Sequence, residues 1–260
     1  LPHRGPGGAQ AGPGMNGAQM LASPRKCYLL WGLEPGFDLD NPSRALAAFA
    51  EAETVSVISP FALRGLRAVA DLLIPLAPYP ESEGSLENLD GETFGVAAAR
   101  RLSGQSRPGW KILRKVGGEL GLDGFSQVDL AGVQADMQAA MSGADLALSE
   151  TELTSADVAD GLFRIGDVPM YRVDALCRRS GPLQQTVQSE SDFVGLNPAD
   201  AEALGLSEGD RARVRQGETQ SEFDVIVSER VPIGGAWLRS ATCETHMLQH
   251  AVGPLTVEVA

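Results

Sequence analysis

Two histidines four residues apart, His246 and His250, stand close to Cys243 and Glu244. Imidazole, thiolate and carboxylate are the common ligands of zinc, and an i, i+4 spacing puts both rings on one face if the segment is helical. A structural zinc site takes four well-placed ligands, so the plainer reading is a pair of surface or interface histidines. Asp71, Glu81 and Glu83 form a second group with the chemistry of an acid/base pair. No nucleophile, histidine or metal partner lies near them in sequence, and carboxylates in loops are ordinarily solvated. Arg178 and Arg179, followed by Ser180-Gly181, suit a phosphate or an acidic subunit surface, and pairing with the latter is the preferred reading. Lys111, Arg114 and Lys115 read as the solvated face of a helix, and Cys27 as a small buried hydrophobe. The run His3-Arg4-Gly5-Pro6-Gly7-Gly8 could cradle an anion through backbone N–H groups or serve as a flexible connection. On these grounds no residue is assigned a catalytic, cofactor-binding or metal-ligating role.

The elements that must position these groups come from patterning. Lys26 to Gly32 is a short apolar run ending in glycine and predicts a buried strand. Asn41 and Ser43 are candidate N-caps for a helix over Ala45 to Ala52. Thr54 to Ile58 predicts a second strand, Arg64 to Ala70 a short helix, and Leu72 to Pro75 a third, buried strand. Strands alternating with helices over short connections imply a parallel sheet, here a partial doubly wound one. A proline-rich turn and a loop with glycines and an asparagine follow, through Gly91. Pro108 opens a helix that runs to the glycines at 117–118, with Ile112, Leu113 and Val116 on one face.

Residues 127–160 are Ala-rich and acidic, with one amphipathic helix near Val133 to Met141. From Gly166 the texture is strands and turns: Asp192 to Leu196, Arg211 to Arg215, Phe223 to Val227, Ala236 to Leu238 and Leu255 to Val259. Asn197 caps a short helix between the first two, and Gln216-Gly217-Glu218 is a hairpin turn. Short strands at this spacing imply a small β-barrel. The domain reading is therefore 1–126 partial α/β, 127–165 linker or surface helix, and 166–260 barrel.

Composition narrows the function classes. Of 260 residues, 34 are acidic and 21 basic, giving a net charge of −13. That argues against nucleic acid and anionic lipid as partners, which need clustered Lys and Arg. No apolar run reaches the ~20 residues of a membrane helix. The three cysteines are isolated, which fits a reducing compartment and gives neither a disulfide framework nor a CxxC metal pair. A chain that starts at Leu1 within a Gly- and Pro-rich stretch reads as part of a longer protein.

Several blocks resemble one family. Ala70 to Gly91 resembles the strand-and-loop signature of the molybdopterin-oxidoreductase superfamily. The segments 1–8, Gly32 to Pro35, Pro108 to Arg114, Val168 to Leu176 with Arg178-Arg179, and Leu183 to Thr186 are similar to successive blocks of the G-subunit family of bacterial NADH-quinone oxidoreductase (complex I). Asn197 to Ala201 with Gly205 and Gly209-Asp210 resembles that superfamily's C-terminal double-psi barrel, and Thr245, Leu248 and Gly253 to Leu255 resemble the family's tail.

The resemblance implies a partial sheet domain followed by a small double-psi-like barrel. It implies a scaffold segment of the peripheral arm, on the cytoplasmic side of the bacterial inner membrane, within an assembly passing electrons from NADH through iron–sulfur clusters to quinone. Other peripheral-arm subunits are then the partners. The clusters belong to a cysteine-rich region upstream, because a cluster usually takes four grouped thiolates, and this segment is expected to hold no cofactor. Ser85, Leu86 and Glu92 depart from the superfamily's Thr, aromatic and basic residues. A carboxylate at 92 would repel a pterin phosphate. The alternatives are a fragment of an active molybdopterin oxidoreductase, of formate dehydrogenase or nitrate reductase type, and a stand-alone binding module.

Overall fold

Asn41 shows how local chemistry sets the elements: its side chain accepts from the Arg44 amide at 3.0 Å, and Pro42 begins the helix it caps. The computed structural model describes residues 15–62, 64–88, 90, 92–141, 161–190, 192–246 and 248–260. The readings of segment 1–8, of the stretch 142–160, and of Leu89 and Gly91 lie outside the described residues. Within them, one compact unit draws on the spans Leu1–Gly32 and Ala52–Leu153, the other on Leu33–Glu51 and Thr154–Ala260.

The first unit carries a three-stranded parallel sheet. Its strands are β1 (Cys27–Trp31), β2 (Thr54–Ser59) and β3 (Leu72–Pro75), in that spatial order. The helices of this unit are α1 (Gly17–Ala22), α4 (Arg64–Val69), α5 (Gly109–Glu119) and α6 (Leu130–Met141). Tyr28 pairs with Val55 and Leu30 with Val57, and all four are buried. Leu29 lies level with Ser56 and Leu72 on the opposite face, and there both leucines are exposed.

Three expectations change here. Cys27 is exposed, because the alternation of β1 gives the covered face to Tyr28 and Leu30. Strand β3 is an edge strand and largely exposed rather than buried. The segment expected as a loop forms a hairpin, β4 (Gly84–Glu87) with β5 (Thr93–Val96). Asn88 closes the connection, its side-chain oxygen accepting from the amides of Asp90 and Glu92.

The α5 helix begins after Pro108 as expected, but Leu113 is exposed, while Ile112 and Gly117 are buried. Phe125 packs so closely on Gly117 that a Cβ there would meet its ring at 2.2 Å. The α6 helix forms where expected without burying a face, so it is not amphipathic in the way its sequence suggested.

The second unit includes α2 (Pro35–Asp38), α3 (Pro42–Ala50), α7 (Gly181–Gln184) and α8 (Pro198–Leu204). Its strands are β6 (Leu162–Ile165), β7 (Phe193–Leu196), β8 (Arg211–Gln216), β9 (Thr219–Val227), β10 (Gly235–Trp237) and β11 (Val252–Val259). These six close into a barrel in the order β10-β6-β11-β8-β9-β7. Two pairs are parallel, β10 with β6 and β7 with β9, and the rest are antiparallel. The partial sheet and the small barrel of the sequence reading are both present. The barrel's first strand, Leu162–Ile165, falls in the stretch read as linker.

Inward residues fill the barrel: Val194, Leu196, Val214, Phe223, Val225 and Leu238 are essentially without exposure. Asn197 caps α8 by accepting from the Ala199 amide, and Gly205 ends it in the left-handed conformation. Gly217 takes the same region of backbone space in the two-residue turn that joins β8 to β9.

Candidate functional site

Glu34 is the most buried carboxylate among the described residues, at 1 % exposure. It sits at the start of α2, where its amide donates to Asp38 Oδ2 at 2.7 Å. Arg178 Nη1 reaches Glu34 Oε2 at 3.0 Å, and Arg178 Nη2 reaches Asp38 Oδ1 at 2.5 Å. Arg179 Nη2 takes the other Glu34 oxygen at 2.7 Å. Arg178 also donates to the carbonyls of Arg172 and Val173 and lies 4.9 Å from the Phe37 ring centroid. The guanidinium fork thus meets two carboxylates and two carbonyls, which is the condition for tolerating buried charge. Pairing, the preferred expectation for these arginines, holds, but the carboxylates are in the same chain rather than on another subunit.

A pocket of about 210 Å³ opens beside α2 in the same unit. Its lining includes Gly36, Asp38, Asp40, Arg164, Ser240 and Ala241. Arg164 comes from the middle of β6 and is only 2 % exposed. Its Nη1 donates to the His250 carbonyl at 2.6 Å and to Gln216 Oε1 at 3.4 Å. Its Nη2 makes two longer bonds, to Ser240 Oγ at 3.3 Å and the Arg239 carbonyl at 3.4 Å. Nε has no partner. Burial pushes the guanidinium down to about 10, with the negative charge of Asp40 opposing the shift. It therefore stays charged at neutral pH.

The zinc reading of the histidines is not supported. The segment holding His246 and His250 is turns and bends, so the i, i+4 spacing gives no shared helix face. His246 Nδ1 contacts the Cys243 carbonyl, and His250 Nδ1 lies 2.6 Å from Asp40 Oδ2. Among the described residues no group of three potential ligands comes together.

Of the three loop carboxylates, Asp71 accepts from the Val55 amide at 2.7 Å and Glu83 is exposed. Glu81, expected to be solvated, is buried. It accepts from Ser103 Oγ at 2.6 Å, from the Ser103 amide at 2.9 Å and from Ser106 Oγ at 3.2 Å. Those bonds, led by the Ser103 hydroxyl, hold its carboxyl below the usual range, with Arg100 adding to the effect. Lys111 and Lys115 are solvated as expected, whereas Arg114 turns back to the Gln127 carbonyl at 2.9 Å.

Residue-type reasoning missed Glu34, Asp38, Asp40 and Arg164. The first three lie in a segment that reads as a turn before a helix. The fourth is a lone charge in a four-residue strand. The i, i+4 spacing of Glu34 and Asp38 was the only available signal.

The geometry defines a class: a partial parallel sheet followed by a closed, mixed six-stranded barrel with a small pocket on its unit. Residues 176–253 match the family model for the molydopterin dinucleotide binding domain. The NADPH-Fe(3+) oxidoreductase subunit alpha of Geobacter sulfurreducens, in two strains, is 24% identical over 224 residues, covering 80% of this chain and 26% of the relative. The chain thus spans about a quarter of that relative's length. Among solved structures, acetylene hydratase from Pelobacter acetylenicus superposes with a TM-score of 0.65 at 12% identity, over 93% of this chain and 46% of that one. That likeness establishes the fold. These similarities do not single out the G subunit of complex I.

The superfamily implies a pterin dinucleotide. The pocket on the barrel unit, at about 210 Å³, is below the ~300–1,000 Å³ typical of small-molecule sites. Arg178 and Arg179, whose residue type also suits a phosphate, are already bound to Glu34 and Asp38. The residues of this pocket do not fit a whole dinucleotide.

Proposed function

We propose that this chain is a scaffold segment of a large redox subunit oxidising a reduced nicotinamide nucleotide, and that the subunit is the G subunit of NADH-quinone oxidoreductase. In that reading the parent passes electrons through iron–sulfur clusters held upstream, toward quinone, with coupled proton translocation. The segment supplies a folded platform and subunit contacts, on the cytoplasmic side of the membrane, and carries no cofactor of its own. One observation carries the scaffold reading. The groups with the chemistry of a site, Glu81 with its serines and Glu34 with its arginine pair, are committed to each other inside the fold. No described helix is long and apolar enough to cross a membrane, which accords with a peripheral position.

The test is elemental mass spectrometry and oxidised-pterin fluorescence on the full-length protein isolated from its own cells. The expected result is iron without molybdenum or pterin, with NADH dehydrogenase activity in the same particle. Stoichiometric molybdenum and pterin would instead assign an active molybdopterin oxidoreductase. A second reading is favoured by the 80% coverage of this chain in the Geobacter match: an assembly of the NADPH-Fe(3+) oxidoreductase kind. A preference for NADPH over NADH, with no quinone reduction, would select it.

A further inference from the structure

Residues 34–42 form a strap that includes α2 and supplies Gly36, Leu39 and Pro42 to the wall of the pocket. Its two ends are attached to the rest of the barrel unit by different chemistry. At the first end, Glu34 is bound by Arg178 and Arg179, and Asp38 by Arg178. A guanidinium keeps its charge at any pH a protein meets, so this end is anchored throughout. At the second end, Asp40 Oδ2 lies 2.6 Å from His250 Nδ1, and Asp40 Oδ1 accepts from the Ala251 amide at 3.1 Å. An imidazole ordinarily changes charge between about pH 5 and 8.

His250 is the fixed partner of this pair. Its amide donates to Gln216 Oε1 at 3.0 Å, and its carbonyl accepts from the buried Arg164 at 2.6 Å. The side chains of His250 and Asp40 are 45% and 65% exposed, so water and protons reach both. His246 bears on the same strap: its ring stacks on Phe37 with centroids 6.5 Å apart, and a Cβ on Gly36 would meet it at 3.4 Å. The charged or titratable groups around His250 are Asp38 and Asp40 on the strap, Arg164 on β6, and Cys243, Glu244 and His246 on its own connection between β10 and β11. The neighbouring β8 presents the uncharged Gln216, and Asp40 forms the ion pair.

We propose that the His250–Asp40 pair is a pH-sensitive latch, which holds the second end of the strap on the barrel in mild acid and loosens it as pH rises through neutrality. With His250 protonated, a full charge faces the Asp40 carboxylate. A neutral ring with its proton on Nδ1 keeps the hydrogen bond and loses the charge attraction. The added stability is therefore present below the range in which the imidazole gives up its proton, and is lost above it. The pocket wall beside Asp40 opens more often at the alkaline end, while the Glu34 end stays in place. The latch is independent of which redox assembly the chain belongs to, so it stands or falls separately from the scaffold reading.

The experiment is hydrogen exchange read by mass spectrometry on the full-length protein from about pH 5 to 8, with rates corrected for the intrinsic pH dependence of amide exchange. Peptides covering residues 38–42 and the Ala251 amide are expected to lose protection about two- to fivefold across that range, the size expected of an exposed ion pair, while β8 stays level. Protection that does not change with pH, or that falls equally in β8, overturns the proposal. His250→Gln and Asp40→Asn keep hydrogen-bonding groups of similar size without the charge, and each should abolish the pH dependence at residues 38–42. Both positions are exposed, so neither change should prevent folding. A dependence that survives in both variants, or that disappears only in His246→Gln, belongs to another group and overturns the latch.

Discussion

The two sheets of this protein handle their edges and faces in opposite ways. The barrel closes on itself, so every strand has two neighbours and its inward residues are sealed. The three-stranded sheet has two edges, and one of its faces leaves Leu29, Trp31 and Leu72 open. Closure is the only device that removes edges altogether. The contrast teaches that stability in the barrel is stored in its interior, whereas the sheet's open face contributes little to holding its own unit together.

The largest effect that could break this comparison is in the barrel core. Phe223 has no exposure and packs among Val194, Val214 and Leu238. Phe223→Ala should cost about 3–5 kcal/mol, read as the shift of a urea midpoint. A loss below 1 kcal/mol would mean that the barrel is loosely packed. Next is the ion cluster. Arg178→Ala leaves Glu34 buried with one of its two cations gone and should cost about 3 kcal/mol. That is the lower end of the range for such pairs, because Asp38 keeps access to water. Arg178→Met, removing the charge but keeping volume, tests whether packing on Phe37 accounts for the loss.

Much of this architecture could be read from periodicity. The strand at Leu72 to Pro75, the Asn197 cap and the turn at Gly217 are local signals, and local signals survive without tertiary knowledge. Burial of polar groups is not local. Glu81 reads as a loop carboxylate until Ser103 and Ser106, more than twenty residues on, fold over it. Arg164 makes Leu162-Phe163-Arg164-Ile165 look like an interrupted, half-polar segment, so the barrel's first strand was hidden by the residue that now lines the pocket. Exposure failed for the opposite reason. Cys27 and Leu72 are apolar residues in apolar runs, and nothing in a run says that one face of the sheet will stay open.

The sheet unit has a third, pH-dependent test. Glu81 titrates below the usual carboxylate value of 4.5 when folded, because the Ser103 and Ser106 donors favour its charged form. A lowered folded value means stability that is present above the unfolded value and lost as pH falls through the folded one. Acid unfolding of the protein should therefore steepen as pH falls below 4.5. Glu81→Gln should flatten that limb while leaving the slope near neutrality alone. An unchanged acid limb would mean that Ser103 and Ser106 do not hold the carboxylate in solution.

The smallest effect sharpens the comparison most. Leu72→Ser on the open face of β3 should alter the urea midpoint by less than the equivalent of about 0.5 kcal/mol, since an exposed side chain gains little from folding. The same change should lower the binding of a hydrophobic dye, because Leu72 and Leu29 form part of one apolar surface. A stability loss near that of a core residue would show that the face is covered in solution, so that the open sheet and the closed barrel differ only in where the covering layer comes from. A silent midpoint with reduced dye binding would establish the face as exposed, with its apolar residues available to another surface instead of serving the sheet's own core.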